Sequence, residues 1–368
     1  MNSQLRTADL VVLLVYMAGV FALGCWFARK SGKPQEFMAA GRSLPGWAVG
    51  LSIFGTYVSS IGFLGNTGKA YGGSWNSWVF GLSLPIAAVI ATRWFIPLYR
   101  SSDAISAYYH LEKRFGPWAR TYALACYLLS QLARVGTILY LVALALSPLT
   151  GWDIKAIILA TGILVTIYTL LGGIEAVIWT DVSQSIVLMI GALFCAALLI
   201  VEMPEGPGQL FDVANEHDKF SLGSFSLDPT SLTLPEPTFW IVLIYGVFIN
   251  IQNFGIDQSF VQRYITAKSD RDARFSIWLA CLLFPIVSAL FFFIGTGLFS
   301  YGQSNPEFLE RVKTSVATSQ LGDGATETEI QTRAAGLTIA DLGDKALPHY
   351  IVSNLPSGLA GLLIAAIF

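Results

Sequence analysis

Two long apolar segments of this chain are interrupted by glycine and polar residues, and those interruptions limit the possible fold more than any other feature. The first runs from Trp47 to Lys69 through Gly50, Gly55, Thr56, Ser59, Ser60, Gly62 and Gly65. The second runs from Phe239 to Tyr264 through Gly246, Asn250, Gln252, Asn253, Gly255, Asp257 and Gln258. An unpaired backbone carbonyl in hydrocarbon costs several kcal/mol, so a broken membrane helix persists where its freed groups coordinate something. The glycines by themselves equally fit close helix packing. Two breaks in comparable positions, one opening each half of a possible inverted repeat, shift the reading to a binding site of the kind transporters carry.

Charged residues make up 12% of the chain, about half the roughly 25% of a soluble domain, so the fold class expected is an all-α multi-pass membrane protein. Segments of about 20 apolar residues bounded by charge, Pro or Gly fall at 8–28, 46–69, 75–99, 118–149, 154–172, 176–201, 237–264 and 274–302. A last apolar stretch, Ser357 to Phe368, is too short to cross. The first span lacks a small-residue cleavage pattern and is expected to stay as a helix.

Lysine and arginine gather in alternate loops: Arg29, Lys30, Lys33 and Arg42; Arg100, Lys113, Arg114 and Arg120; Arg263, Lys268, Arg271 and Arg274. These loops should be cytoplasmic in a cell (inner) membrane, with the amino terminus outside. The opposite side would hold Glu202, Glu205, Asp212, Glu216, Asp218, Asp228 and Glu236 beside a single Lys219, and the polar stretch 303–356. Within that stretch Ile330 to Leu347 has helical spacing closed by Pro348, fitting a lid or a solvated excursion. Segment 203–236 reads as a spacer. The basic groups spread over one face form no nucleic-acid stripe. Cys25, Cys126, Cys195 and Cys281 lie inside spans without metal-ligand spacing and read as free, packed thiols. His110, His217 and His349 fall in predicted loops with no Cys or carboxylate cluster, which argues against catalytic zinc and against an enzyme.

Two charges inside spans carry chemical weight. Arg134 lies near the centre of its span, where an arginine costs at least about 2.5 kcal/mol; it is either a fixed ion pair or a ligand for an anion. Asp181, below the Gly172-Gly173 turn, can coordinate a hard cation or cap a helix amino end.

The run Tyr168-Thr169-Leu170-Leu171-Gly172-Gly173-Ile174-Glu175-Ala176-Val177-Ile178-Trp179-Thr180-Asp181 resembles the signature of the sodium:solute symporter family. So do Ser59-Ser60-Ile61-Gly62-Phe63 with Gly68-Lys69-Ala70-Tyr71, and Gln258-Ser259-Phe260-Val261-Gln262-Arg263-Tyr264. The likeness runs through the whole chain and is nearest to the bacterial sialic acid symporters, with sodium/sugar cotransporters further off. It implies a leucine-transporter-type core working by alternating access: an extra helix at 8–28, a first five-helix repeat at 46–201, and a second repeat, incomplete at 237–368, that includes an extracellular loop at 303–356. The coupling ion implied is Na+. Backbone carbonyls of Gly55 and Val58 match its principal site, whose other ligands lie on the helix beginning at Ser357, beyond Phe368. Asp181 matches an acid of a second sodium site, and the resemblance implies a longer protein.

The resemblance also implies a solute pocket at Ser59, Gly62, Ser77, Gly81, Arg134, Gly246 and Asn250. Ser59, Arg134 and Asn250 keep the residue found in sialic acid symporters, and Arg134 matches the arginine that meets the substrate carboxylate. Gly62, Ser77, Gly81 and Gly246 replace a threonine, a phenylalanine, a glutamine and a phenylalanine. Asn253 stands where the sugar branch has a pocket-closing tyrosine. The function expected is sodium-coupled import of a small polar organic solute: an acidic sugar, another organic acid or a monosaccharide. A membrane-embedded sensory input domain on the same core is the alternative, and a passive channel fits broken helices less well.

Overall fold

A computed structural model describes residues 6–28, 33–101, 105–228, 237–322 and 325–367; Arg29, Lys30, Glu236 and Phe368 lie outside it. Every regular element among the described residues is helical, and one isolated bridge pairs Leu44 with Ala267. The apolar α1 (Thr7–Ala28) is followed by the short α2 (Pro34–Ala39). The first interrupted segment is α3 (Gly46–Ser60), a wide turn at Ile61–Gly65, and α4 (Asn66–Gly72). Its two arms are bent by 54°. The next span, Trp75–Arg100, is jointed into α5 (Val79–Leu82), α6 (Leu84–Ile90) and α7 (Ile96–Arg100). The short α8 (Tyr109–Phe115) leads to α9 (Pro117–Thr150), whose Leu128, Leu129, Leu132 and Val135 are exposed as lipid-facing residues would be.

α10 (Ile154–Val201) holds both spans expected at 154–172 and 176–201, joined without a loop. The axis breaks at Gly173, where φ is 62° and ψ −160°. A Cβ there would also lie 2.6 Å from the carbonyl oxygen of Phe37 on α2, so backbone conformation and space both demand glycine. After α11 (Pro207–Glu216), the second interrupted segment is α12 (Phe239–Ile256) and α13 (Gln258–Ile265), separated by Asp257 in an extended conformation. α14 (Asp270–Ser304) packs along α3 and α4 and forms the centre of the core with Ile277, Phe291 and Leu298. Counted with the bent pair as one, seven helices among the described residues are long and apolar enough to cross a membrane; dividing α10 at Gly173 gives eight spans.

Some expectations need correction. Segment 203–236 contains α11, started by Pro207 and docked on α14 through Leu210 and Ala214. The helix expected over Ile330 to Leu347 is two: stretch 303–356 folds as α15 (Pro306–Leu321), α16 (Glu327–Ala335) and α17 (Ile339–Asn354). Thr338 starts a new helix by a reciprocal cap with Asp341, and Pro348 lies inside α17. Burial of Leu342, Ala346, Leu347 and Tyr350 against neighbours, α4 among them, outweighs the local cost of the proline. Gly68 and Gly343 bring α4 and α17 into backbone contact, so α17 is not a solvated excursion. His110 and His349 sit in α8 and α17 instead of loops. Of the free thiols, Cys195 and Cys281 are buried while Cys126 is exposed on α9.

The last element, α18 (Leu359–Ile367), is fastened to α1. Asp9 of α1, 2% exposed, accepts hydrogen bonds from the backbone N–H groups of Gly358 at 2.6 Å and Gly361 at 3.1 Å. A carboxylate there satisfies orphan donors and faces the positive end of the helix dipole. Arg6 donates to Leu355 O and Ser357 Oγ beside it.

Candidate ion and solute site

Ser52, on the first arm of the broken span, is 0% exposed and points at α10. Its hydroxyl donates to Asp181 Oδ2 at 2.5 Å and accepts from Arg263 Nε at 2.8 Å. Arg263 Nη2 reaches the same Asp181 oxygen at 3.0 Å, and Arg263 Nη1 donates to Ser259 O on its own helix at 2.7 Å. Three helices, α3, α10 and α13, thus meet at one charged triangle. Asp181 lies within α10, well past the Gly173 break, so it is not a helix cap. One turn further along each helix, a Cβ on Gly55 would lie 2.7 Å from Ser185 Oγ and 3.6 Å from Asp181 O. Gly55 therefore lets the α3 backbone lie against α10 beside the carboxylate, and Val58 is buried a turn above.

A second, neutral cluster lies between α12 and the Trp75–Arg100 span. Asn250, 0% exposed, donates to Ser83 Oγ at 2.9 Å, and Ser83 donates to Phe80 O. Gly246 sits against the same surface: its Cβ would fall 2.5 Å from Ser83 Oγ. Asn253 Nδ2 reaches Tyr57 OH at 3.4 Å and Asn250 Oδ1 at 3.5 Å. Tyr57 packs among Phe254, Phe260 and Phe284 with ring centroids 4.8–6.1 Å away. Gly81 faces the Phe284 ring at 3.4 Å. The structure thus brings Gly81, Gly246, Asn250 and Asn253 to one region. Ser77 is half-buried at the start of its span, Gly62 lies in the wide turn against Tyr57 O, and the Ser59 side chain lies outside the described residues.

Arg134 is half-buried on α9. The ion pairs among the described residues are Arg100–Asp270, Arg120–Glu112, Arg263–Asp181 and Lys313–Glu310, none of which uses it. Tyr127, two helical turns before Arg134, shares a hydrogen bond with Ser259 Oγ at 2.8 Å. The helix that carries Arg134 thus meets α13 at Tyr127.

Sequence reasoning missed Arg263, Ser52 and Tyr57. Arg263 reads as a loop cation, yet its guanidinium is an internal partner of Asp181, with a side chain 11% exposed. Ser52 carries a usable signal, a hydroxyl three positions before Gly55 in an apolar run. Arg100, also grouped with the loop cations, holds the carbonyls of Tyr264, Ile265 and Ala267. Beside it the Leu44–Ala267 bridge and an Asp272 side chain bonded to Gly46 N tie the start of α3 to the start of α14.

A broken apolar span meeting a half-buried acid, inside a bundle of membrane-length helices, defines a multi-pass membrane protein of broken-helix architecture. The chain belongs to the sodium:solute symporter family, whose pattern its residues 37–368 match. It is 33% identical over 365 residues to the sodium/sialic acid symporter NanT of Aliivibrio fischeri, covering 98% of this chain and 65% of that protein. It is also 33% identical to the sodium/sialic acid symporter SiaT of Proteus mirabilis, covering 97% and 66%. A rabbit sodium-dependent multivitamin transporter is 31% identical over 83% of this chain and 48% of its own length. The solved structure of a Na+-coupled sialic acid symporter in a substrate-bound outward-open state superposes with a TM-score of 0.84 at 31% identity, covering 98% of this chain and 70% of that one. The fold is therefore the leucine-transporter type. The chain spans just under two thirds of the length of these two sialic acid symporters.

Proposed function

We propose that the protein is a sodium-coupled secondary active symporter that imports a small polar organic solute by alternating access. The observation that carries this reading is the half-buried Asp181 carboxylate lying against the broken span at Ser52 and Gly55. Hard cations take carboxylate, hydroxyl and carbonyl oxygens, and Asp181, Ser52, Ser185 and the backbone near Gly55 and Val58 supply those types in one place. Sodium bound there favours the outward-facing state, and solute binding then permits the inward swing. Each sodium moving inward gains about 2.3 kcal/mol per 100 mV of membrane potential.

The solute pocket proposed is walled by Ser59, Gly62, Ser77, Gly81, Gly246, Asn250 and Asn253, with Tyr57 added from the structure and Arg134 as its cation. A guanidinium without an internal carboxylate partner suits a solute that carries a carboxylate. The sialic acid symporters among the relatives support an acidic sugar, and other organic acids share the carboxylate that Arg134 would meet. The protein would lie in the inner membrane with its amino terminus outside, α1 being the extra helix, 46–201 the first repeat and 237 onward the second.

The test is uptake of a panel of labelled acidic sugars, organic acids and monosaccharides by the full-length protein in liposomes. Accumulation should require an inward sodium gradient. Equal uptake in potassium or choline buffer would sink sodium coupling, and uptake following a proton gradient would make Asp181 a proton carrier.

A further inference from the structure

The charged triangle holds a cation already, and it is part of the protein. Asp181 Oδ2 receives the Ser52 hydroxyl and Arg263 Nη2 together, so the oxygen that would meet an ion is occupied from two sides. The side chains of Arg263 and Asp181 are 11% and 19% exposed. As it stands the pair is neutral. A sodium ion added beside the intact pair would leave a net positive charge in a largely desolvated site, the costliest arrangement for it.

Arg263 has an alternative anchor. Its Nη1 is bonded to Ser259 O, one turn back on α13, independently of Asp181. The guanidinium can therefore turn away from α10 and remain bonded to its own helix. Ser52 is shared: its oxygen accepts from Arg263 and its proton goes to Asp181. Removing the arginine frees the Ser52 oxygen as well as a position on Asp181, and those are the two oxygens a hard cation would take from this corner.

We propose that Arg263 is a tethered counter-cation for Asp181: sodium arriving at this carboxylate displaces the guanidinium, and the guanidinium returning displaces sodium. This rests on the sodium role of Asp181 proposed above and adds how that site is emptied. With the arginine seated, α13 is locked to α3 and α10; with sodium seated, that lock is open. The ion thus acts on the position of α13 through differential contact with the two states, and release against a bound carboxylate does not depend on dilution alone. Arg263 is a positioning residue for the ion, not part of the solute pocket.

The test uses the full-length protein. Trp179, two residues from Asp181 and edge-to-face with Trp47 at 5.6 Å, is a nearby fluorophore for sodium titration without solute. In Arg263→Gln the competitor is gone: the sodium concentration for half-saturation should fall about tenfold, while uptake turnover at saturating sodium falls by a similar factor because the ion is not displaced. Arg263→Lys, which keeps the charge without the planar fork, should lie between. The neutral pair Asp181→Asn with Arg263→Gln should lose this sodium phase, with a lower Hill coefficient for sodium-activated uptake. If half-saturation in Arg263→Gln is unchanged or higher while the wild type responds to sodium, the guanidinium is a fixed brace and the inference falls. Recovery of wild-type sodium activation in the neutral double variant would overturn it too. Should Arg263→Gln not fold, Arg263→Lys decides by the same shift. A wild type with no sodium response removes the sodium reading itself, and this inference with it.

Discussion

At the junction of α3 and α4 the backbone keeps turning through a wide loop of helix and bends by 54°, whereas between α12 and α13 it stops at Asp257 and starts again. The polar groups around the two breaks are used differently. Along α12 and α13, Asn250 is bonded to Ser83, Gln258 to Ala107 N and Ile105 O, and Asp257 caps α13 through Ser259 N at 2.8 Å. Around the first break Thr56 turns back to its own helix, and Ser52 enters the charged triangle. The joint between α12 and α13 is braced by hydrogen bonds to its neighbours, and its Arg263 also reaches Asp181 and Ser52 on the first arm of the other break. The two interruptions thus differ in local bracing while one ion pair links them.

The largest effect that would sharpen this contrast is expected at the ion pair. Asp181→Asn should raise the sodium requirement of uptake roughly ten- to a hundredfold, since it removes the charged oxygen proposed to meet the ion and contacts to charged groups are worth about 1.5–3 kcal/mol. Unchanged sodium activation would leave Asp181 with a purely structural role. Next comes Arg134→Lys, which should weaken binding of an acidic solute about tenfold, because hydrogen bonds to charged groups are worth about 1.5–3 kcal/mol. A neutral solute should be spared, and equal losses for both would remove Arg134 from the pocket.

On the braced side, Asn250→Leu removes the donor to the Ser83 oxygen and should lower stability by about 0.5–1.5 kcal/mol in a denaturation series in detergent. A variant that melts like the wild type but loses solute affinity would make Asn250 a direct ligand and break the contrast. Asp257→Ala removes a helix cap and should cost about 1 kcal/mol, with α13 loosening first in hydrogen exchange.

The smallest effect concerns the outer arm of the first break. Lys219 donates to Tyr71 O at 2.7 Å and Gly73 O at 3.1 Å and lies over the Phe299 ring, and burial lowers its pKa to about 8 from 10.5. Between those values the unfolded chain holds a proton that the folded one has lost, so this group makes stability rise with pH across that window. Lys219→Met should flatten the slope of melting temperature against pH from 8 to 10.5, and an unaltered slope would assign it to other groups.

Much of the helical plan was legible because membrane spans are written locally, as about 20 apolar residues between charges. The Gly172-Gly173 turn, both broken segments and the weight given to Asp181 and Arg134 came from the same local signals. What stayed hidden was partnership. Asp181 and Arg263 are 82 positions apart, and no periodicity says which of many arginines will turn inward. The short α11 escaped notice because its burial on α14 is decided by the partner helix. Pro348 misled for a similar reason: its local preference was outweighed by the packing of α17.

The bond between Asp9 and α18 joins residues 349 positions apart, which bears on the order in which the protein is made. α1 leaves the ribosome well before α18 and presents an acid whose partners on α18 are not yet synthesised. Until α18 emerges, Asp9 keeps its hydration by staying at the bilayer surface, since a carboxylate deep in lipid is costly. The first turn of α1 is thereby held shallow throughout insertion, and it settles when the late helix supplies its two N–H groups. A contact of such sequence separation forms slowly. Substituting Asp9 should therefore show up as a late defect in assembly, after the spans between have inserted and paired.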